Sequence, residues 1–202
     1  EWQRLLDLLF KYRKKESLNG LVVAVSAEKL MASSIDALEQ AGQNTRQRID
    51  ELMRALGAKF PVYLLVTQCD KLRGMAGFSG PLSGSASNQP MGCLNSEMTG
   101  SAVAFADQAL STLAEQLKRL RLVLLHRPGA RTGDAEALLF PEDFSTLQKG
   151  LAAYIRGAFQ ENAYQETPLL RGLFFSSAKA DASRGFFLHD FFAKVLPADR
   201  AL

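Results

Sequence analysis

The chain has 202 residues, 47% of them hydrophobic and 22% charged, with a formal net charge of +3 and two cysteines. That length buries a real core without disulfides or metals. The charge balance is too mild to argue for nucleic acid, and no nucleic-acid partner is expected.

No apolar run reaches the roughly 18 residues of a membrane helix, and no signal peptide opens the chain. Trp2, Leu5, Leu6 and Leu9 recur at helical spacing, and Lys11, Arg13, Lys14 and Lys15 follow them, where cations suit a helix C-terminus. Trp2 is expected in the core. With no initiator Met and no capping residue before Trp2, the opening reads as a helix entered part-way, and the chain as a piece of a longer protein.

Asn19-Gly20 predicts a turn, and LVVAVSA (Leu21 to Ala27) predicts a parallel strand buried on both faces. Ser33 or Ser34 is suited to cap the next helix. Its apolar stripe runs through Leu38, Ala41, Ile49, Leu52 and Leu56, and Gly57 ends it. Phe60-Pro61 leads into VYLLVT, a second buried strand. Strand, helix and strand in this order predict a doubly wound α/β sheet.

The segment from Gly74 to Gly92 is rich in Gly, Ser and Pro and predicts a flexible loop. Val103, Ala106, Leu110, Leu113, Leu117, Leu120 and Leu124 then alternate three- and four-residue steps, as in a helix buried along one seam. A further helix is expected after Phe140-Pro141, with Glu142 and Asp143 in its first turn and Phe144, Leu147, Leu151, Tyr154, Ile155 and Phe159 inward. LLRGLFFSSAK (Leu169 to Lys179) predicts a last strand, and FFLHDFFAKVL an apolar helix.

Two strand ends carry chemistry. The first is Thr67-Gln68-Cys69-Asp70 and the second Ser177-Ala178-Lys179. They resemble the Asn-Lys-x-Asp and Ser-Ala-Lys strand ends of G-domain GTPases. An aspartate accepts from two adjacent N–H donors on a purine edge, a backbone N–H near the alanine donates to a purine carbonyl, and lysine stems lie against the ring. Asp70 is read either in this role or as a turn carboxylate, and Lys179 either as a base contact or as a solvated lysine.

Cys69 reads as a small buried hydrophobe. With no CxxC spacing, the two thiols are expected reduced, in a cytosolic compartment. His126 and His189 lack partners at metal or triad spacing. Lys118, Arg119, Arg121, Arg127 and Arg131, like Arg46, Arg48 and Arg54, read as solvated helix faces. No carboxylate pair, nucleophile–base pair or metal cluster emerges, so catalytic residues are unassigned and no metal ligand is expected.

Three blocks stand in order along the chain: SLNGLVVAVSAEKL, TRQRIDELMRALGAKFPVYLLVTQCDKL and NAYQETPLLRGLFFSSAKADAS. Together they resemble the cytoplasmic region of the IcmF/TssM family, inner-membrane components of bacterial type VI secretion systems with relatives in type IVB systems. Two positions depart from the related motifs. Gln68 replaces the lysine of the family's Thr-Lys-Cys-Asp, and Thr67 stands where GTPases have asparagine.

The resemblance implies a partial P-loop-NTPase-like (G-domain-like) α/β fold with a parallel sheet and a helical insertion. Residues 1–75 and 166–202 would form the NTPase-like part, and residues 76–165 a flexible loop plus helical insertion. It implies a base site at Thr67, Gln68, Asp70, Ser177, Ala178 and Lys179. ATP or GTP with Mg would bind the full-length protein, whose family carries a phosphate loop upstream; no G-x-x-x-x-G-K-[ST] occurs in these residues.

The implied role is a scaffold in the secretion machine's inner-membrane complex, with this region on the cytoplasmic side. Implied partners are a TssL-like membrane protein, the cytoplasmic baseplate, a TssJ-like lipoprotein through a periplasmic part, and further copies of the protein. The competing expectations are an NTPase that powers or gates secretion and a free regulatory GTPase.

Overall fold

Val62 to Val66 of strand β2 (Pro61–Thr67) are all buried, as the apolar run PVYLLVT requires of a central strand. The computed structural model describes residues 18–80, 82, 84–96, 100–126, 135–160, 167–178 and 185–199, together with Arg4, Leu8 and Lys11. Trp2, Arg127, Arg131 and Lys179, and the expectations attached to them, lie outside the described residues.

Strand β1 (Leu21–Ser26) runs parallel to β2, with Leu21 opposite Val62 and Ser26 opposite Thr67. On the other side, β4 (Leu169–Phe175) is also parallel to β2, with a register shift at Val62/Tyr63. Strand β3 (Met91–Leu94) pairs antiparallel with β4, which gives the order β1-β2-β4-β3.

The sheet is therefore mixed, where the sequence reading has a parallel one. The antiparallel edge strand starts in the last two residues of the Gly/Ser/Pro-rich segment read as loop, Met91 and Gly92, and continues through Leu94. That segment also holds two short helices, α3 (Met75–Ser79) and α4 (Gly84–Asn88). A second correction concerns β1. Among the described residues it lies at the sheet edge; only Val25 of the strand is buried and Ala24 is exposed. An apolar run marks a strand, but its place in the sheet depends on neighbours that sequence pattern does not show.

Helix α1 (Ala27–Ala32) follows β1 directly, and α2 (Ile35–Leu56) follows after Ser34. Ser34 Oγ accepts from the Ala37 N–H at 3.3 Å, satisfying one free donor of the first turn. Gly57 closes the helix at φ 61°, the left-handed conformation that glycine adopts without a Cβ penalty. Helix α5 (Ala102–Leu125) buries Ala106, Leu110, Leu113 and Leu117, four positions of the predicted seam. The seam is core packing: Val103, Leu120 and Leu124 are partly buried against the same cluster.

The helix expected to begin after Pro141 is two helices, α6 (Ala135–Ser145) and α7 (Leu147–Phe159). Pro141 sits inside α6 instead of at its start. Its missing N–H suits a helix start, but here the apolar Ala-Leu-Leu-Phe stretch before it is already helical.

One face of the sheet and helices α2, α5 and α7 share a continuous core that includes Leu38, Ile49, Leu64, Leu113, Ile155 and Phe175. Each such side chain stabilises the fold by roughly 1.5–3 kcal/mol on full burial. Helices α2 and α7 meet through glycine: a Cβ on Gly42 would lie 2.2 Å from the Tyr154 carbonyl oxygen, and one on Gly157 would lie 2.1 Å from that of Glu39. Thr45 Oγ1 and Tyr154 Oη are hydrogen-bonded across this crossing at 2.7 Å.

Arg46, read as a solvated cation, is buried. It pairs with Asp50 at 2.9 Å and donates to the Gln160 carbonyl oxygen, tying α2 to the end of α7. Arg121 is likewise engaged, donating to the Leu138 carbonyl oxygen and to Glu142. Arg48 pairs with Glu51 on an exposed face.

The opposite sheet face is covered by the C-terminal segment. Tyr63, Leu65 and Phe174 pack against Phe191, which is fully buried. The segment expected as one helix divides. Strand β6 (Gly185–Phe186) pairs antiparallel with β5 (Ser177–Ala178), and helical structure follows as a π turn at Phe191–Val195 and α8 (Leu196–Ala198).

Candidate ligand site at the strand tips

Parallel strands β2 and β4 are neighbours, so their C-terminal ends meet. The ladder continues past them: the Ser176 N–H donates to the Val66 carbonyl at 2.8 Å, and the Cys69 N–H donates to the Ser176 carbonyl at 3.0 Å. Gln68 turns the chain at φ 60°, ψ 35°, a left-handed conformation that few residues other than glycine adopt. A short 3₁₀ turn, Cys69–Lys71, follows.

Asp70 Oδ1 then accepts a hydrogen bond from the Ala178 N–H at 2.9 Å. Among the described residues, nothing is hydrogen-bonded to Asp70 Oδ2.

Four other residues complete the tips. Thr67 Oγ1 donates to the Val25 carbonyl oxygen at 3.4 Å, linking the tips of β2 and β1. Ser177 is buried, with its Oγ donating to the Ala178 carbonyl oxygen at 3.2 Å. Cys69 is buried, and burial pushes its thiol up to about 12, so it is an inert core group, as the sequence suggests. Gln68 is exposed at the rim.

The structure thus brings Thr67, Gln68, Asp70, Ser177 and Ala178 together on one sheet edge. The carboxylate and the N–H assigned to two different atoms of a base are bonded to each other.

A second polar cluster escaped the sequence reading. Arg171 makes a two-pronged pair with Asp199, its Nε and Nη2 donating at 2.6 Å each, and its side chain is 9% exposed. Tyr63 Oη donates to the same carboxylate at 2.5 Å, and Arg171 Nη1 donates to the Asn95 carbonyl oxygen.

Hydrogen bonding from Arg171 holds Asp199 below the usual carboxylate range, with Tyr63 acting in the same direction and burial opposing. Burial raises Tyr63 well above a normal phenol, and Asp199 adds to that. One signal was available: Arg171 is a lone charge inside the apolar strand LLRGLFF, and a buried charge needs a partner. The cluster pins the C-terminal segment to the sheet, away from the tips.

Among the described residues, no group of three or more His, Cys, Asp or Glu could hold a metal ion. No described helix is long and apolar enough to cross a membrane. His126 is exposed and its ring Nδ1 lies 2.7 Å from the Leu122 carbonyl oxygen, while His189 lies against Asp190.

A family model described as the IcmF-related N-terminal domain matches residues 1–183. The type VI secretion system component TssM1 of Pseudomonas aeruginosa is 31% identical over 189 residues, covering 90% of this chain and 17% of that relative. The chain therefore spans about a sixth of the length of the curated relative it matches. No solved structure matches it.

Proposed function

The chain belongs to the IcmF-related family, and we propose that it is part of a scaffold protein of a bacterial type VI secretion membrane complex, lying on the cytoplasmic side of the inner membrane. In this reading it contributes a rigid α/β body that meets a TssL-like membrane protein and the cytoplasmic baseplate. A TssJ-like lipoprotein would meet a periplasmic part outside these residues, and further copies would complete the complex.

The observation that carries the mechanistic half of the proposal is the bond between Asp70 and Ala178. It places a carboxylate and a backbone N–H together at the C-terminal ends of adjacent parallel strands, where open α/β sheets bind ligands. We infer a purine-base rim on a P-loop-NTPase-like fold. Asp70 would accept from the base edge, the Ala178 N–H would donate to it, and Thr67, Gln68, Ser177 and Lys179 would frame it. A carboxylate beside a backbone N–H would suit guanine, which presents two adjacent N–H donors and a carbonyl, better than adenine, which has no carbonyl; the phosphates and Mg are not assigned to any residue here. Bound nucleotide would supply phosphoryl chemistry, and in the competing reading its hydrolysis energises or gates secretion.

Calorimetric titration of the full-length protein with ATP and with GTP tests this. Asp70→Ala should weaken nucleotide binding at least tenfold while the melting temperature falls by only a few degrees. If wild-type protein binds neither nucleotide, the base rim is refuted and the scaffold reading stands. If full-length protein fails to co-purify with inner-membrane secretion components, the scaffold reading fails. Turnover of ATP or GTP that Asp70→Ala abolishes would favour the hydrolase.

A further inference from the structure

The two faces of the sheet are covered differently. One shares the core of helices α2, α5 and α7, whereas the other carries Tyr63, Leu65 and Phe174 under Leu188, Phe191, Val195 and Leu196 of the C-terminal segment. Those four covering residues recur at helical spacing, as an apolar stripe along one side of the segment. The Phe191 ring is centred 4.6 Å from that of Phe174 and 6.2 Å from that of Tyr63, while the next residue, Phe192, is 52% exposed.

The polar bonds of this segment divide by position. Those in its middle are internal: Lys194 Nζ donates to Asp190 at 2.7 Å, His189 Nδ1 lies 2.8 Å from the same carboxylate, and the Phe192 N–H donates to the Leu188 carbonyl. Among the described residues, the hydrogen bonds from residues 187–199 to the rest of the protein lie at the two ends. At the front the Phe187 N–H donates to the Ser87 carbonyl at 2.7 Å, and at the rear Asp199 accepts from Arg171 and Tyr63. Phe187 sits at φ 67°, a left-handed conformation that costs a bulky residue free energy. Beyond it the turn Phe191–Val195 is π-type, closed by the Leu196 N–H donating to the Phe191 carbonyl. Strained dihedrals cluster at clamps and switches, and single π turns at functional sites.

We propose that residues 187–199 form a strap that opens and closes as one body, turning about Phe187 and held shut by Asp199 on Arg171 and Tyr63. Opening leaves the helical layer in place and bares Tyr63, Leu65 and Phe174 on the two central strands. The strap therefore switches one surface of the protein between a covered and an apolar state. Its internal bonds survive the movement, so opening breaks only the bonds to Asp199 and the contact of one apolar stripe. Such a piece opens at a lower free energy than the whole molecule unfolds. It also differs from a fraying terminus, which loosens from its last residue inward and loses its own bonds in turn. The device does not depend on the nucleotide reading, since Asp70 and Ala178 are bonded to each other and not to the strap.

Amide hydrogen exchange of the 202-residue chain, followed by NMR in low urea, tests this. The Phe192 and Leu196 amides should exchange at one common opening free energy, roughly a hundredfold or more faster than amides of α7, and with a shallower urea dependence. Asp199→Asn should speed exchange in the strap about tenfold. Leu113→Ala, which weakens the helical layer alone, should speed exchange in α7 and leave the strap unchanged. A thiol introduced by Leu65→Cys should be labelled in native protein well before Cys69, because the open strap bares that position. The proposal is overturned if strap and α7 amides share one rate and urea slope, if Leu113→Ala speeds both alike, or if Asp199→Asn leaves the strap unmoved. Labelling at position 65 no faster than at Cys69 would also overturn it. Should Asp199→Asn fail to fold, the wild-type exchange and the Leu113→Ala comparison decide the matter.

Discussion

Asp70 and Ala178, 108 positions apart in sequence, are joined by a 2.9 Å hydrogen bond from a backbone N–H to a carboxylate oxygen. Whatever ligand the tips hold, this bond also stabilises the fold, and its contribution is measurable alone. Asp70→Ala should lower stability by about 1 kcal/mol, or roughly 2–4 °C in melting temperature for a domain of this size. Asp70→Asn retains an acceptor oxygen and should lose less. Equal melting temperatures for wild type and both variants would show that the bond contributes nothing in solution.

The crossing of α2 and α7 depends on the absence of two side chains. Alanine at Gly157 or Gly42 would set a Cβ about 2 Å from a backbone carbonyl oxygen, which no rotamer change relieves. Better helix propensity returns roughly 0.5–1 kcal/mol, whereas overpacking typically costs 1–3 kcal/mol. Each substitution should therefore lower the urea midpoint by the equivalent of about 1–2 kcal/mol. A raised midpoint would mean that the helices separate at little cost.

The Arg171–Asp199 pair should be costly to break and cheap to replace. Asp199→Ala leaves a buried guanidinium without its carboxylate and should lose about 3–5 kcal/mol. The double variant Arg171→Met with Asp199→Leu should recover most of that loss in a denaturant titration.

The same pair sets a pH dependence. The folded-state pKa of Asp199 is depressed, so its contribution is present above the unfolded carboxylate value, near 3.9, and is lost as pH falls toward the folded value. Asp199→Asn should therefore flatten the acid limb of the stability profile below about pH 4 and leave its slope at neutral pH unchanged. An unaltered acid limb would sink this assignment.

The two thiols should differ in reactivity. Cys69 is buried and pushed up to about 12, so its thiolate fraction at pH 8 is on the order of one in ten thousand. Cys93, half-buried and raised by the same cause, is the more accessible of the two. Disulfide-exchange labelling of native protein should modify Cys93 first, with Cys69 reacting only as the protein unfolds. Labelling of Cys69 in the folded state at the rate of Cys93 would contradict the burial.

The elements legible in the sequence are those whose cause is local. The cap at Ser34, the stop at Gly57, the stripe of α5 and the apolar runs of β1, β2 and β4 each sit within a few residues of what produces them. The parts that escaped depend on distant partners. Strand β3 is four residues long, contains a glycine and is extended because β4 is there to pair with it. Arg46 looks like any surface cation until Gln160 is placed beside it.

At the site, the residue types and their strand-end positions were readable, and so was the adjacency of the tips. The direct bond between Asp70 and Ala178 was not, because it depends on how Gln68 turns the backbone. Asp199 was invisible as a site residue for a similar reason: its partners Arg171 and Tyr63 come from two central strands.

Placing β2 beside β4 also has a cost in time. Ribosomes add roughly 5–20 residues per second, so the stretch from Thr67 to Leu169 takes several seconds to emerge. During that interval β2, whose residues Val62 to Val66 are all buried in the fold, has β1 on one flank and lacks β4 on the other, which makes the nascent chain vulnerable to aggregation until β4 is synthesised.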